Sequence, residues 1–408
     1  MNTQEKKRNV YEDLGRVLGP SWLKLANAKQ EGKKVVWIPF NFSPEILHAM
    51  DIIPLTVEML SSVLMFLEEG ITSYIDLSVE HGFPETMCST QKGAIGLLEA
   101  DIIDKPDLIV NGAAGFCGPN AKGYEYMAHK FDIPIIFIDD PYYHDQRAYD
   151  YYVRGFKRIV KALEEMTGNK VDEDRLREVC ELSNQATEIY MEIAELKRNV
   201  PNPVPNAYNS GHTATRLMLA GTQDAVDFYQ MMLAVCKERL KNGEHVKPEE
   251  RIRLYVMYTG LYFDMFFQTW LEEEMGVTYL MDILQAFDTN PFIDTSSTDT
   301  MIRDLAITSL NMPMARQLKG SWNGAAGWLQ DTLYYAENYK ADCMLVTGHV
   351  ACKQAWGAYR LVADEVKNQL GIPTIRLEAD GWDSRITPMP VIKEKLSDFF
   401  DMVLENKK

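Results

Sequence analysis

A regular succession of short apolar runs, each followed by a helical stretch, constrains this chain more than any other feature. VVWIPF (35–40), DLIVNG (107–112), IPIIFID (133–139), IRLYVMYTG (252–260), VTYLMDI (277–283), DCMLVTG (342–348) and IPTIRLEA (372–379) are rich in β-branched and aliphatic residues. Such runs suit strands covered on both faces. Strands that alternate with helices are joined by crossovers, and crossovers produce parallel pairs. After the first run, Ser43 and Pro44 are residue types suited to an N-cap and a first helical position, so a helix is expected over SPEILHAM.

The strand signal stops between 147 and 250. Amphipathic stretches such as YYVRGFKRIVKALEEM and DRLREVCELSNQATEIYMEIAEL take over there, and VPNPVPN (200–206) breaks them. A chain of 408 residues exceeds what one hydrophobic core usually organises. The expected class is therefore α/β, with two doubly wound parallel-sheet domains of flavodoxin- or Rossmann-like type at 1–146 and 251–408 and a helical insert at 147–250. The halves share one strand-helix grammar and are expected to be similar folds.

A net charge of −17 argues against nucleic acid or an anionic membrane as the main partner. The N-terminal MNTQEKKRNVYEDLG has no apolar segment of a secretory signal, and no run reaches the length of a membrane span, so a cytoplasmic address is expected. In that reducing compartment the six cysteines are expected to be thiols or metal ligands rather than disulfides.

Three cysteines stand out by position. Cys117 and Cys352 each follow a strand and precede a helix, and Cys88 precedes the helical STQKGAIGLLEAD. In an open α/β fold that edge is where ligands bind, and a helix N-terminus stabilises anionic sulfur. Three converging thiolates suit a [4Fe-4S] cluster with one iron left open. Position alone leaves packing open as well, since Cys also behaves as a small hydrophobe. Zinc competes as the metal, but paired C-x-x-C or H-x-x-x-H spacing is missing. Cys180 and Cys236 on insert helices and Cys343 inside a strand are expected to pack.

The chain resembles the 2-hydroxyacyl-CoA dehydratase and benzoyl-CoA reductase family. The resemblance rests on VVWIPFNFSPEIL with LTVEM downstream, MCSTQKGAIGLLE, PDLIVNGAAGFCGPNAKGYEYMAHKFDIPIIFIDDPY, AGTQDAVDFY, LNMPMAR, and GHVACKQAWGAYRLVADEV followed by IPTIRLEADGWDSR, in that order. It implies that Cys88, Cys117 and Cys352 hold a [4Fe-4S] cluster in one of two homologous subunits. It also implies an acyl-CoA substrate and a separate ATP-hydrolysing iron-sulfur activator that injects single electrons. In the dehydratases the electron forms a ketyl on the thioester carbonyl and water is eliminated to an enoyl-CoA; in the reductases electrons enter an aromatic ring. A third form, the double-cubane reductases, needs more cysteine ligands.

Phe40 stands where the dehydratase pattern places a hydroxyl residue, which favours an aromatic or bulky acyl group or ring reduction. With Asn41 it is expected to line the substrate; Asp383 and Arg385, which with Asp380 follow the last strand, are expected to line the substrate or to brace the contact between the domains. Glu58 in LTVEM matches an acidic family residue and is a candidate for proton handling or a solvated helix residue. His349, three residues before Cys352, is a candidate proton donor or a hydrogen-bonded structural residue. Lys122 and Lys130 are candidates for CoA phosphates or solvated charges, and Asn311 and Arg316 fall in a family segment. YFDMFFQTW and YEYMAHKF have helical spacing suited to core packing.

Overall fold

The computed structural model describes residues 10–63, 70–112, 117–143, 145–264, 266–286, 292–318 and 326–407. Helix α1 (Val10–Asn27) precedes β1 (Lys34–Trp37), α2 (Glu45–Ala49), β2 (Ile52–Leu55), α3 (Val57–Val63), α4 (Gly70–Glu80), α5 (Ser89–Glu99), β3 (Leu108–Gly112), α6 (Gly118–Phe131) and β4 (Ile135–Ile138). Helices α7 (Gln146–Thr167), α8 (Glu173–Leu196), α9 (Tyr208–Met218) and α10 (Gln223–Asn242) follow. The chain then forms β5 (Ile252–Val256), α11 (Phe267–Glu273), β6 (Val277–Met281), α12 (Thr298–Asn311), α13 (Pro313–Leu318), α14 (Ala326–Asn338), β7 (Cys343–His349), α15 (Lys353–Leu370), β8 (Thr374–Ala379) and α16 (Met389–Asn406).

Two four-stranded, all-parallel sheets result, ordered β2-β1-β3-β4 and β6-β5-β7-β8. The order is the same in both. In each sheet the chain winds outward from the first strand, then returns past it to the third. This creates a switch point between β1 and β3 in one sheet and between β5 and β7 in the other. Strand β2 escapes a sequence reading because Ile52–Leu55 is short and contains Pro54. As an edge strand it tolerates a residue that cannot donate to the ladder.

Ser43 does not cap α2; Pro44 takes the N-cap position. The Ser43 hydroxyl instead donates to the Leu305 carbonyl at 2.9 Å and lies 2.8 Å from Ser309 Oγ. Helix α12 approaches closely enough to claim it. Met301, Leu305, Ala306 and Leu310 of α12 share a core with Val36, Ile38, Phe156 and Ile159, so a helix from beyond residue 250 covers the first sheet. A second core runs from Trp37 and Ile109 through Tyr190, Phe228 and Tyr229 to Tyr255 and Met344. The helices between the sheets thus join them rather than forming a separate core.

Candidate functional site

Each of the three cysteines singled out by sequence is the N-cap residue of a helix. Cys88 precedes α5, Cys117 precedes α6 and Cys352 precedes α15, and none closes a side-chain capping hydrogen bond. Two are related by the repeat. Val36 pairs with Leu108 and Leu254 pairs with Cys343 across the two switch points. Cys117 lies nine residues beyond Leu108, and Cys352 lies nine beyond Cys343. In the same register Phe40 lies four residues beyond Val36 and Tyr258 four beyond Leu254. Phe40 and Tyr258 are therefore counterparts, as Cys117 and Cys352 are. Cys88 precedes α5, the last helix before β3, and the sequence before α14, the last helix before β7, holds no matching cysteine.

The electrostatics bring the thiols together. Burial pushes Cys88 up to about 12, and Asp380 and Cys352 push in the same direction. Burial raises Cys117 well above the ordinary thiol value, with Cys88, Cys352 and Glu58 adding to the rise. Burial also raises Cys352, while the Tyr258 hydroxyl and the amides of Ala355 and Gln354 act against it. Amides of Thr90 and Asn120 do the same for Cys88 and Cys117, as free N–H groups of a first helical turn do. Among the described residues no three His, Cys, Asp or Glu side chains converge as the ligands of a single ion. A cubane differs in binding each thiolate through a separate iron, so its ligands surround a volume. Cys180, Cys236 and Cys343 lie fully buried in the core clusters.

Glu58 lies in the first turn of α3 at the carboxyl end of β2. Burial raises its carboxyl from the ordinary 4.5 to about 7, opposed by its own backbone N–H and by Asn120. Asn120 Nδ2 donates to Oε1 at 3.0 Å. Asn120 belongs to the first turn of α6, so the helix that begins at Cys117 also holds Glu58. A carboxyl that titrates near neutrality beside ionisable sulfur has the character of a proton-handling group.

His349, the last residue of β7, is 2% exposed and occupied at both ring nitrogens. The Gly381 amide donates to Nδ1 at 3.1 Å, so Nε2 carries the proton toward Thr259 Oγ1, 2.6 Å away. Burial lowers its pKa and keeps the ring neutral. The ring stands edge-on to Tyr258, with centroids 5.1 Å apart at 84°. Tyr258 Oη in turn donates to Cys352 Sγ at 3.1 Å. Sequence reasoning passed over Tyr258, although the repeat would have marked it as the counterpart of Phe40.

Asp380 reaches across the two halves. Its carboxylate accepts from Ser89 Oγ, next to Cys88, and from the amides of Trp382 and Asp383 at 2.9 and 3.0 Å. Arg385 forks onto Asp76 of α4 at 2.9 and 2.7 Å and onto Asp383 at 2.9 and 2.8 Å. These residues brace the loop after β8 against α4 and α5.

Phe40 and Asn41, both buried, line a cavity of about 110 Å³ with Ser43, Thr215 and Met312. Asn41 Oδ1 and Thr215 Oγ1 are buried there with no partner of good hydrogen-bond geometry among the described residues. Lys122 pairs with Glu125 at 2.7 Å, and Lys130 with Glu99 and with Tyr126 Oη. Arg316 pairs with Asp331 at 2.6 Å, and Asn311 lies 3.4 Å from Tyr149 Oη. The structure gives these four residues local partners and brings none of them to the thiols. The glycine-rich segment 113–116, read as the loop before Cys117, lies outside the described residues.

A family model described as 2-hydroxyglutaryl-CoA dehydratase, D-component, matches residues 39–403. The chain is 26% identical to the (R)-phenyllactyl-CoA dehydratase alpha subunit of Clostridium sporogenes over 270 residues, 64% of this chain and 65% of that protein. It is 23% identical to a benzoyl-CoA reductase subunit of Thauera aromatica over 433 residues, covering 98% of this chain and 96% of that protein. It is 23% identical to the (R)-2-hydroxyisocaproyl-CoA dehydratase alpha subunit of Clostridioides difficile, covering 62% and 64%. The matches thus span less than two thirds of these two dehydratase subunits and nearly all of the reductase subunit. No described helix is long and apolar enough to cross a membrane.

Proposed function

Since this chain belongs to the 2-hydroxyglutaryl-CoA dehydratase D-component family, we propose that it is the [4Fe-4S] subunit of an (R)-2-hydroxyacyl-CoA dehydratase that removes water to give an enoyl-CoA. The observation that carries this reading is that three thiols, each at the N-cap of its own helix, lie near enough to act on one another electrostatically. The donor set fits the cluster. Three soft sulfur donors suit iron-sulfur chemistry, and burial with mutual repulsion makes three thiolates costly unless a cationic core lies among them.

Cys88, Cys117 and Cys352 would hold the cluster. When bound, it supplies single-electron chemistry and an iron with an open position. Glu58 takes up or releases a proton at its carboxylate, held in place by Asn120. Phe40 and Asn41 line the acyl group, and Met312 helps to exclude water around it. Asp383 and Arg385 position the loop after β8 that closes the site against α4. His349 serves as a positioning residue through its contact with Tyr258.

The partners in this reading are a second homologous subunit, an ATP-hydrolysing iron-sulfur activator and the acyl-CoA, and the address is cytoplasmic. A second reading, reduction of an aromatic acyl-CoA ring, is favoured by Phe40 and by the near-complete match to the Thauera aromatica reductase protein. Anaerobic purification with iron and sulfide analysis, then assay with activator, ATP, 2-hydroxyacyl-CoA and benzoyl-CoA, tests both. About four irons per chain and water elimination are expected. A chain without iron overturns the reading, and turnover of benzoyl-CoA alone moves it to ring reduction.

A further inference from the structure

We propose that Tyr258 sets the reduction potential of the cluster through the hydrogen bond that its phenol O–H donates to the Cys352 sulfur. The inference rests on the cluster reading above. Tyr258 Oη donates to Cys352 Sγ at 3.1 Å. A phenol pointed at a thiolate withdraws charge from the sulfur and favours the more negative, reduced state, because hydrogen bonds to sulfur set cluster potentials.

The ring is fixed for this purpose. Tyr258 is 6% exposed, and its ring lies against Trp328, with centroids 5.8 Å apart at 51°, and against His349. His349 is locked by Thr259 and by the Gly381 amide, and Trp328 by its Nε1 donating to the Met257 carbonyl at 2.8 Å. Both flanking rings are therefore tethered independently of the phenol. The hydroxyl cannot swing away without disrupting packing on two sides, so the donor is preorganised.

The repeat makes the device one-sided. The counterpart of Tyr258 in the first half is Phe40, which has no hydroxyl. Of the two equivalent cysteines, Cys352 receives a phenol and Cys117 faces a half whose matching residue carries none.

Tyr258→Phe keeps the ring and both packing contacts and deletes only the donor. The full-length protein carrying its cluster is titrated potentiometrically under anaerobic conditions, with the reduced cluster read by electron paramagnetic resonance. Expected is unchanged iron content and a lower potential, with the reduction equilibrium weakened about tenfold, about 59 mV for one electron. Tyr262→Phe, which removes a hydroxyl from the ring lying 5.1 Å from Trp382, leaves the potential where it was. Fluorotyrosine placed at 258 is a stronger donor and raises the potential. A loaded Tyr258→Phe protein with wild-type potential overturns the inference alone. Should that variant lose its iron, an unchanged potential in the fluorotyrosine protein overturns it instead. A wild type without iron overturns the cluster reading and this inference with it.

Discussion

Replacing Glu58 by Gln isolates one buried carboxyl whose energetics the structure makes explicit. Gln is nearly isosteric, and its Oε1 still accepts the Asn120 Nδ2 donor that reaches Glu58 at 3.0 Å. What changes is the charge. Burial moves the carboxyl from the ordinary 4.5 to about 7. At about 1.36 kcal/mol per pKa unit, ionising it in the folded chain costs roughly 3 kcal/mol more than in the unfolded one. The sign follows from proton counting. A folded pKa above the unfolded value means that the folded chain binds the extra proton, so this stability is present below about pH 4.5 and is lost as pH rises through about 7. Urea unfolding of the metal-free wild type and Glu58→Gln, at steps between about pH 4.5 and 8, should show the variant gaining on the wild type by about 3 kcal/mol over that range. The difference between the two proteins cancels every other titrating group. Parallel stability curves would refute the reasoning, because a carboxyl that ionises near its ordinary value is hydrated and is no candidate for proton handling beside Cys117.

Three further perturbations test the surroundings. Cys352→Ala and Cys88→Ala should lose bound iron and acid-labile sulfide, whereas Cys180→Ala, buried in the core between α8 and the first sheet, should retain both; equal iron in all three would show that the ligands are misassigned. Gly381→Ala would place a Cβ 2.0 Å from His349 Cε1 and 2.6 Å from Nε2, so the ring must move; we expect a loss of about 1–3 kcal/mol, read as a lower Tm. Because burial leaves the three thiols proposed as ligands protonated in the metal-free chain, assembling the cluster near neutral pH should release close to one proton per thiol beyond the protons given up by the hydrosulfide that supplies the bridging sulfides, measured with an indicator dye against the Cys88→Ala protein given the same iron and sulfide; equal release from both would mean that the thiols do not bind as thiolates.

Much of the scaffold was legible because its signals are local. Each buried parallel strand announces itself as an apolar run, and Cys117 and Cys352 advertise their edge positions by standing between such a run and a helix. Strand β2 carried the wrong signal, four residues with Pro54 among them, and only its parallel pairing with β1 makes it a strand. Ser43 carried a correct propensity that α12 overrode, since a buried hydroxyl takes the nearest good acceptor wherever it lies in sequence. The same holds for α12 itself, whose place against α7 and α8 depends on contacts far apart along the chain. For the site, residue type was readable at Glu58 and Cys88, but burial was not, and burial supplies the shifted pKa. Arg385 was readable as a substrate contact or an interdomain brace, and the fork onto Asp76 that makes it a brace is visible only once α4 is seen beside the loop after β8.

The repeated topology explains why the site needs both halves. A single sheet of order 2-1-3-4 has one switch point and delivers one cysteine from the helix that follows its third strand. Facing a second sheet of the same order doubles that to Cys117 and Cys352, with Phe40 and Tyr258 at matching places. Duplication alone cannot supply a third thiol. Cys88 does so from α5, and its neighbour Ser89 is tied across the boundary to Asp380. The contact that orients the unrepeated thiol is therefore also one that joins the halves. Repeat symmetry accounts for two of the thiols, and its breaking accounts for the third, for the phenol on Cys352 and for the phenyl ring of Phe40 beside the cavity it lines. In an assembly built this way, chemical differences between the two sides of the site trace to positions where the halves differ, Phe40, Tyr258 and Cys88 among them.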